Sequence, residues 1–182
     1  MGKFKKLVKS EEAMEKFVTD YRIPSNVGLR YCKEGEWHFM SQRGEVVIPM
    51  IAFIEGGMRT PMGSVMRDYL RHFWLAPTQC AVNVFRILGC VDALNEKMGL
   101  RLNHHDLNWC YNLQHLKGKS YYIKMRDDKV WHIQCLPESN KGLNKDFLIV
   151  LGGWHDDLHC PTKEGAPGGV FRVREGWSFV LS

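Results

Sequence analysis

Apolar side chains recur three and four residues apart through about residue 116 and every second residue beyond it, so the pattern predicts helices first and strands after. The first helix is expected over about 11–21. Ser10 is a suitable N-cap, Glu11 and Glu12 lie where the helix dipole favours negative charge, and Met14, Phe17, Val18 and Tyr21 share one face. Pro24 ends it, because proline disfavours helical backbone in the residue before it. Residues 27–45, punctuated by Gly28, Gly35 and Gly44, read as extended or looped, with Trp37 and Phe39 as anchors to the core. A second helix is expected over about 62–74, with Thr60 as cap and Pro61 at its first position. Val65, Met66, Tyr69, Leu70, Phe73 and Trp74 form its apolar face, and Arg67, Asp68, Arg71 and His72 its solvated one.

After Pro77 a central helix is expected to run to about Met98. Its stripe of Val84, Ile87, Leu88, Val91, Leu94 and Met98 is widened by Cys80, Ala81, Phe85 and Cys90, so burial on most sides follows, and Gly99 suits a left-handed cap. Asn103 opens a further helix with Asp106 as its capping-box partner and Leu107, Cys110, Tyr111 and Leu113 facing inward, ending near Leu116. The period then changes to two. Tyr121–Met125 and Val130–Leu136, joined at Asp127-Asp128, predict a hairpin, and Phe147–Leu151 a third strand. Between Cys160 and Gly169 the composition turns to Pro, Gly and small residues, a linker, before an edge hairpin or tail over 170–180. The fold class is therefore α+β, a helical core of three to four helices followed by a small antiparallel hairpin or sheet. The expected organisation is a basic arm over 1–9, one domain over 10–159, and linker with tail or edge hairpin over 160–182.

A length of 182 residues with 45% hydrophobic and 25% charged residues fits one core and excludes a disordered chain, a collagen-like fibre and a disulfide-dense mini-protein. Of the net charge of +5, Lys3, Lys5, Lys6 and Lys9 supply four, so the basic character belongs to the arm and not to the domain. The longest apolar stretch, Val46–Ile54, is far below the roughly 20 residues that span a bilayer. Glu11 and Glu12 follow the lysines at once, so no secretory signal is read. An intracellular place, cytoplasm or nucleus, without a membrane partner is the expectation. The six cysteines, Cys32, Cys80, Cys90, Cys110, Cys135 and Cys160, then read as reduced, small buried hydrophobes.

No catalytic residue, cofactor or metal is expected. His155, His159 and Cys160 have metal-ligand spacing only on a helix, which Gly152, Gly153 and Pro161 oppose. Cys110 lies five positions from both His105 and His115, which does not bring nucleophile and base to one helical face. Asp127-Asp128 and Asp156-Asp157 are explained as turns. The candidate nucleic-acid contacts are Lys3, Lys5, Lys6 and Lys9 on the arm, with Lys124, Arg126, Tyr121 and Trp131 around the hairpin, where cations interleave with stacking rings. A solvated strand face alternating with core aromatics gives the same mixture, and is the favoured reading.

From Tyr21-Arg22-Ile23-Pro24 to Trp154-His155 the chain resembles the plant gypsy-type transposon domain, found in the N-terminal, gag-like part of plant retrotransposon polyproteins. The carriers are Ile48-Pro49 and Phe53, Met66 to Leu70 with Phe73, Leu75 to Gln79, Val84 to Leu88, Leu94-Asn95, Gly99-Leu100, Tyr121-Tyr122 and Phe147 to Val150 after Asn140-Lys141-Gly142. The resemblance covers about residues 10–160, and its carriers are packing and turn positions, so it implies a fold and no active site. The zinc knuckle, protease, reverse-transcriptase and integrase motifs of a complete element are not in this sequence, which reads as an isolated element-derived fragment or short reading frame. The implied activity is non-enzymatic self-association or packaging of element RNA. A small sequence-nonspecific RNA- or DNA-binding protein is the alternative, and a metal-dependent hydrolase on His155 and His159 a remote one.

Overall fold

The computed structural model describes residues 2–33, 45–116, 120–126 and 146–152. Within them the order is α1 (Glu11–Asp20), β1 (Val27–Tyr31), β2 (Glu45–Pro49), α2 (Met50–Ile54), α3 (Ser64–His72), α4 (Val82–Met98), α5 (His104–Cys110), β3 (Tyr111–Leu116), β4 (Ser120–Met125) and β5 (Phe147–Gly152), an α+β fold. Short 3-10 turns at Lys5–Leu7 and Pro77–Gln79 precede α1 and α4. The α1 assignment holds with its cap, Ser10 Oγ accepting from the Ala13 amide at 3.2 Å.

β5 is the centre of one antiparallel sheet, ordered β1-β5-β2, and not an appendage of the hairpin. Leu148 and Val150 are buried in the main core on one face and Ile149 in a smaller cluster with Val47 and Cys32 on the other. A short apolar run buried on both faces suits the middle of a sheet. The apolar stretch 46–54 divides at Pro49, which closes edge strand β2 and leads into α2, a position where a missing amide donor is tolerated. No strand was expected there.

The second sheet pairs β3 with β4, Leu113 opposite Ile123. The helix expected to reach Leu116 instead stops at Cys110, and Tyr111 is extended at φ −131°, ψ 150°. Residues 111–114 alternate apolar and polar side chains, and pairing with β4 buries Tyr111. β4 thus has an N-terminal partner in β3; the second strand expected for it, 130–136, lies outside the described residues, as do Trp37, Phe39 and 160–182.

α3 and α4 form the heart of the main core, with Tyr69, Leu70, Phe85, Ile87 and Leu88 fully buried. α3 begins at Ser64 and not after Thr60-Pro61, which lie before it in a cis linkage with Thr60 buried. Its first amides are capped from another helix. Asp92 on α4 accepts from Val65 at 2.9 Å and from Met66 at 3.3 Å. α4 is buried on most sides over Val82–Leu88 only, for Cys90, Leu94 and Met98 on its later turns are exposed. Gly99 takes the left-handed conformation expected of it, at φ 64°.

Candidate functional site

The lysine segment is part of the fold and not a free arm. Phe4 and Val8 enter the main core, the Phe4 amide donates to Asp146 Oδ2 at 2.7 Å, and Tyr31 Oη donates to the other carboxylate oxygen, also at 2.7 Å. Lys3 Nζ lies 5.1 Å from the centroid of the Phe4 ring and Lys5 Nζ 5.7 Å from that of Tyr31. Lys3, Lys6 and Lys9 are exposed and Lys5 half-buried, so three of the four predicted cations stand on the surface of a docked segment.

The hairpin contacts separate by strand parity. Tyr121 shares the face of Ile123 and Met125; its ring stacks on His115 at 5.2 Å and its carbonyl accepts from the Ala81 amide at 2.8 Å. Lys124 is on the opposite face, with Arg126 just past the strand's end, and the aromatic neighbour there is Tyr122, whose hydroxyl donates to Gln114 Oε1 at 2.5 Å. Tyr121 and Lys124 therefore do not form one stacking surface, and Tyr122 replaces Tyr121 beside the cations. Arg126 Nε also donates to the Asn108 carbonyl at 2.7 Å, tying the hairpin to α5. Trp131, His155, His159 and Cys160 lie outside the described residues. Lysine segment and hairpin cations belong to different sheets, the first joined through Asp146 and Tyr31 to β5 and β1.

Two features escaped the sequence reading. The first is apolar surface: Met98 is 67% exposed, Leu94 and Leu100 are exposed, and so are Trp74 at 72% and Trp109 at 83%. Trp74 also has φ 53°, a conformation costly for a bulky side chain. Leu94 and Met98 were assigned to the core stripe because they continue its period; the helix outruns the core that the stripe serves. The second is a group of three imidazoles. His72, at the end of α3, lies 4.7 Å from His104 and 5.7 Å from His105, and the latter two are 4.1 Å apart at the start of α5, centroid to centroid. No helical spacing could announce it, because its members come from elements separated by all of α4.

Burial, and then the charges of His104 and His105, hold His72 below the ordinary imidazole value; burial, and then His105, hold His104 below it, and Asp68 and Asp106 pull His104 partly back. The Asp92 carboxyl is raised, desolvation outweighing its bonds to the α3 amides. Burial pushes Tyr111 up to about 12 and raises Cys80 strongly, so neither is poised for chemistry at neutral pH. Cys110 is half-buried, and its carbonyl takes the Arg126 amide at 2.9 Å. Among the described residues no three His, Cys, Asp or Glu side chains are placed to hold a metal ion, and no helix is long and apolar enough to cross a membrane. No family model, no curated protein and no solved structure matches the chain.

Proposed function

We propose that this chain is a non-enzymatic binding domain, of the gag-like kind its motifs resemble, and that it works by associating with further copies of itself through the C-terminal end of α4. The observation that carries this reading is the apolar surface at that end. Leu94 and Met98 stand four residues apart on one face, and Leu100 follows directly after the Gly99 cap, all three exposed. An apolar stripe that continues past the core is stabilised by a second apolar surface, and a second copy supplies an identical one about a twofold axis. The resemblance supports the reading more coarsely. Its carriers Tyr69, Leu70, Phe85, Leu88 and Leu148 are core positions, so what it transmits is a framework without a reaction. Sedimentation of the full chain over a range of concentrations tests the proposal, with Met98→Glu as the variant. The expected result is a concentration-dependent oligomer that the variant abolishes.

A second reading, binding of single-stranded RNA, is favoured by one observation: Tyr122 and Lys124 share one face of β4 and the exposed Arg126 follows its end, a ring with two cations close in the chain. It predicts salt-sensitive binding of a random oligoribonucleotide that Lys124→Gln with Arg126→Gln weakens.

A further inference from the structure

We propose that the docking of α5 on α3 is a proton-sensitive contact, closed when His72 and His104 are neutral and opened when they charge, with His105 as their close neighbour. The inference is independent of self-association and rests on the placement of the three rings. Two protons on imidazoles whose centroids lie 4.1 to 5.7 Å apart would put like charges in near contact, well within the distance over which salt screens them. His104 Nδ1 is buried without a hydrogen-bond partner, so a proton placed there finds no acceptor.

The surrounding charges offset this only in part. On α3, Asp68 lies one turn before His72, but its carboxylate already takes Arg67 Nε at 2.8 Å, and Arg71 beside His72 adds positive charge. On α5, Asp106 accepts from the Asn103 amide at 2.8 Å as part of the capping box. α4, also packed on α3, offers Asp92, which is spent on the Val65 and Met66 amides, roughly 10 Å from His72 along the α3 axis. β3, which continues from α5, offers His115, which is stacked on Tyr121 near the far end of the strand. Two partly engaged acids can accommodate one proton on the cluster more readily than two or three.

The sign follows from linkage. Imidazoles held below their ordinary value of 6.5 take up protons more readily when α5 is open, so the closed form is fully favoured above about pH 6.5 and loses ground as pH falls below it. Opening would uncover Leu107, the buried anchor of α5.

The test is hydrogen exchange of the full chain at pH 7.5 and 5.0, corrected for intrinsic rates, with amides 104–110 read against those of Val84–Val91 in α4. In the wild type, protection of 104–110 should fall by about fivefold or more relative to α4, because lowering the pH favours the form that takes up protons more readily. In His72→Gln and in His105→Gln, both exposed positions that should not endanger folding, the relative loss should shrink to about threefold or less. His115→Gln should keep the wild-type response. Equal losses in all four proteins, or no relative loss in the wild type, would overturn the proposal.

Discussion

The backbone amide of Phe4 donates to the carboxylate of Asp146 at 2.7 Å, across 142 positions of sequence. Asp146 is itself buried and takes the Tyr31 hydroxyl on its other oxygen, while its carbonyl accepts the Met50 amide at 2.9 Å. One side chain thus joins the N-terminal segment to β1 and stands at the junction of β2, α2 and β5. The ring of Phe4 seats beside it in the core.

Phe4→Ala should therefore destabilise the protein by about 3 to 5 kcal/mol, as removal of a buried aromatic does. Deleting residues 1–9 should lower the urea midpoint by a comparable amount, whereas Lys3→Gln with Lys6→Gln and Lys9→Gln should leave it within about 0.5 kcal/mol, since these side chains are exposed. Equal midpoints for the deletion and the wild type would restore the free-arm picture.

Leu70 is 1% exposed between α3 and α4. Leu70→Ala should cost about 2 to 5 kcal/mol in denaturant unfolding, the range for a core leucine. A cost below about 1 kcal/mol would mean that the α3–α4 packing is looser than described.

Asp92 should reveal itself through both geometry and pH. A Cβ at Gly63 would lie 2.1 Å from Asp92 Oδ2, so Gly63→Ala must displace the carboxylate from the Val65 and Met66 amides and cost about 1 kcal/mol or more. Because the Asp92 carboxyl is raised in the fold, its protonated form is favoured there; its contribution is fully present below the unfolded carboxyl value and declines as pH rises through the folded one. Asp92→Asn should remove that decline from the pH dependence of the thermal midpoint.

The thiols should react in order of burial. Cys90 is exposed, Cys110 half-buried, and Cys32 and Cys80 buried. Among these four, peptide mapping after brief alkylation of native protein should find Cys90 modified first and Cys80 last, its thiol being both inaccessible and raised by burial. Early labelling of Cys80 would contradict the core.

Most of the helical framework was legible because its signals are local. Ser10, the Asn103–Asp106 pair and Gly99 each cap the helix end that their side chain or φ requires. The misreadings arose where a local signal competed with a distant one. Tyr111 to Leu116 fit a continued helical face until β4 is brought alongside, and the α3 cap comes from Asp92, 27 residues after Val65. Phe4 could not be told from a solvated terminus, because its partner lies near the other end of the described chain. Of the candidate site, the lysines and the β4 cations were legible by composition. Their separation, the His72–His104–His105 group and the exposed end of α4 are products of packing.

Sedimentation velocity of the wild type beside Met98→Glu, each over a hundredfold concentration range and with and without single-stranded RNA, bears most directly on the central claim. The expected result is a wild type that associates without RNA and a folded variant that stays monomeric. A wild type that is monomeric throughout without RNA, or a variant that associates to the same extent, would contradict it.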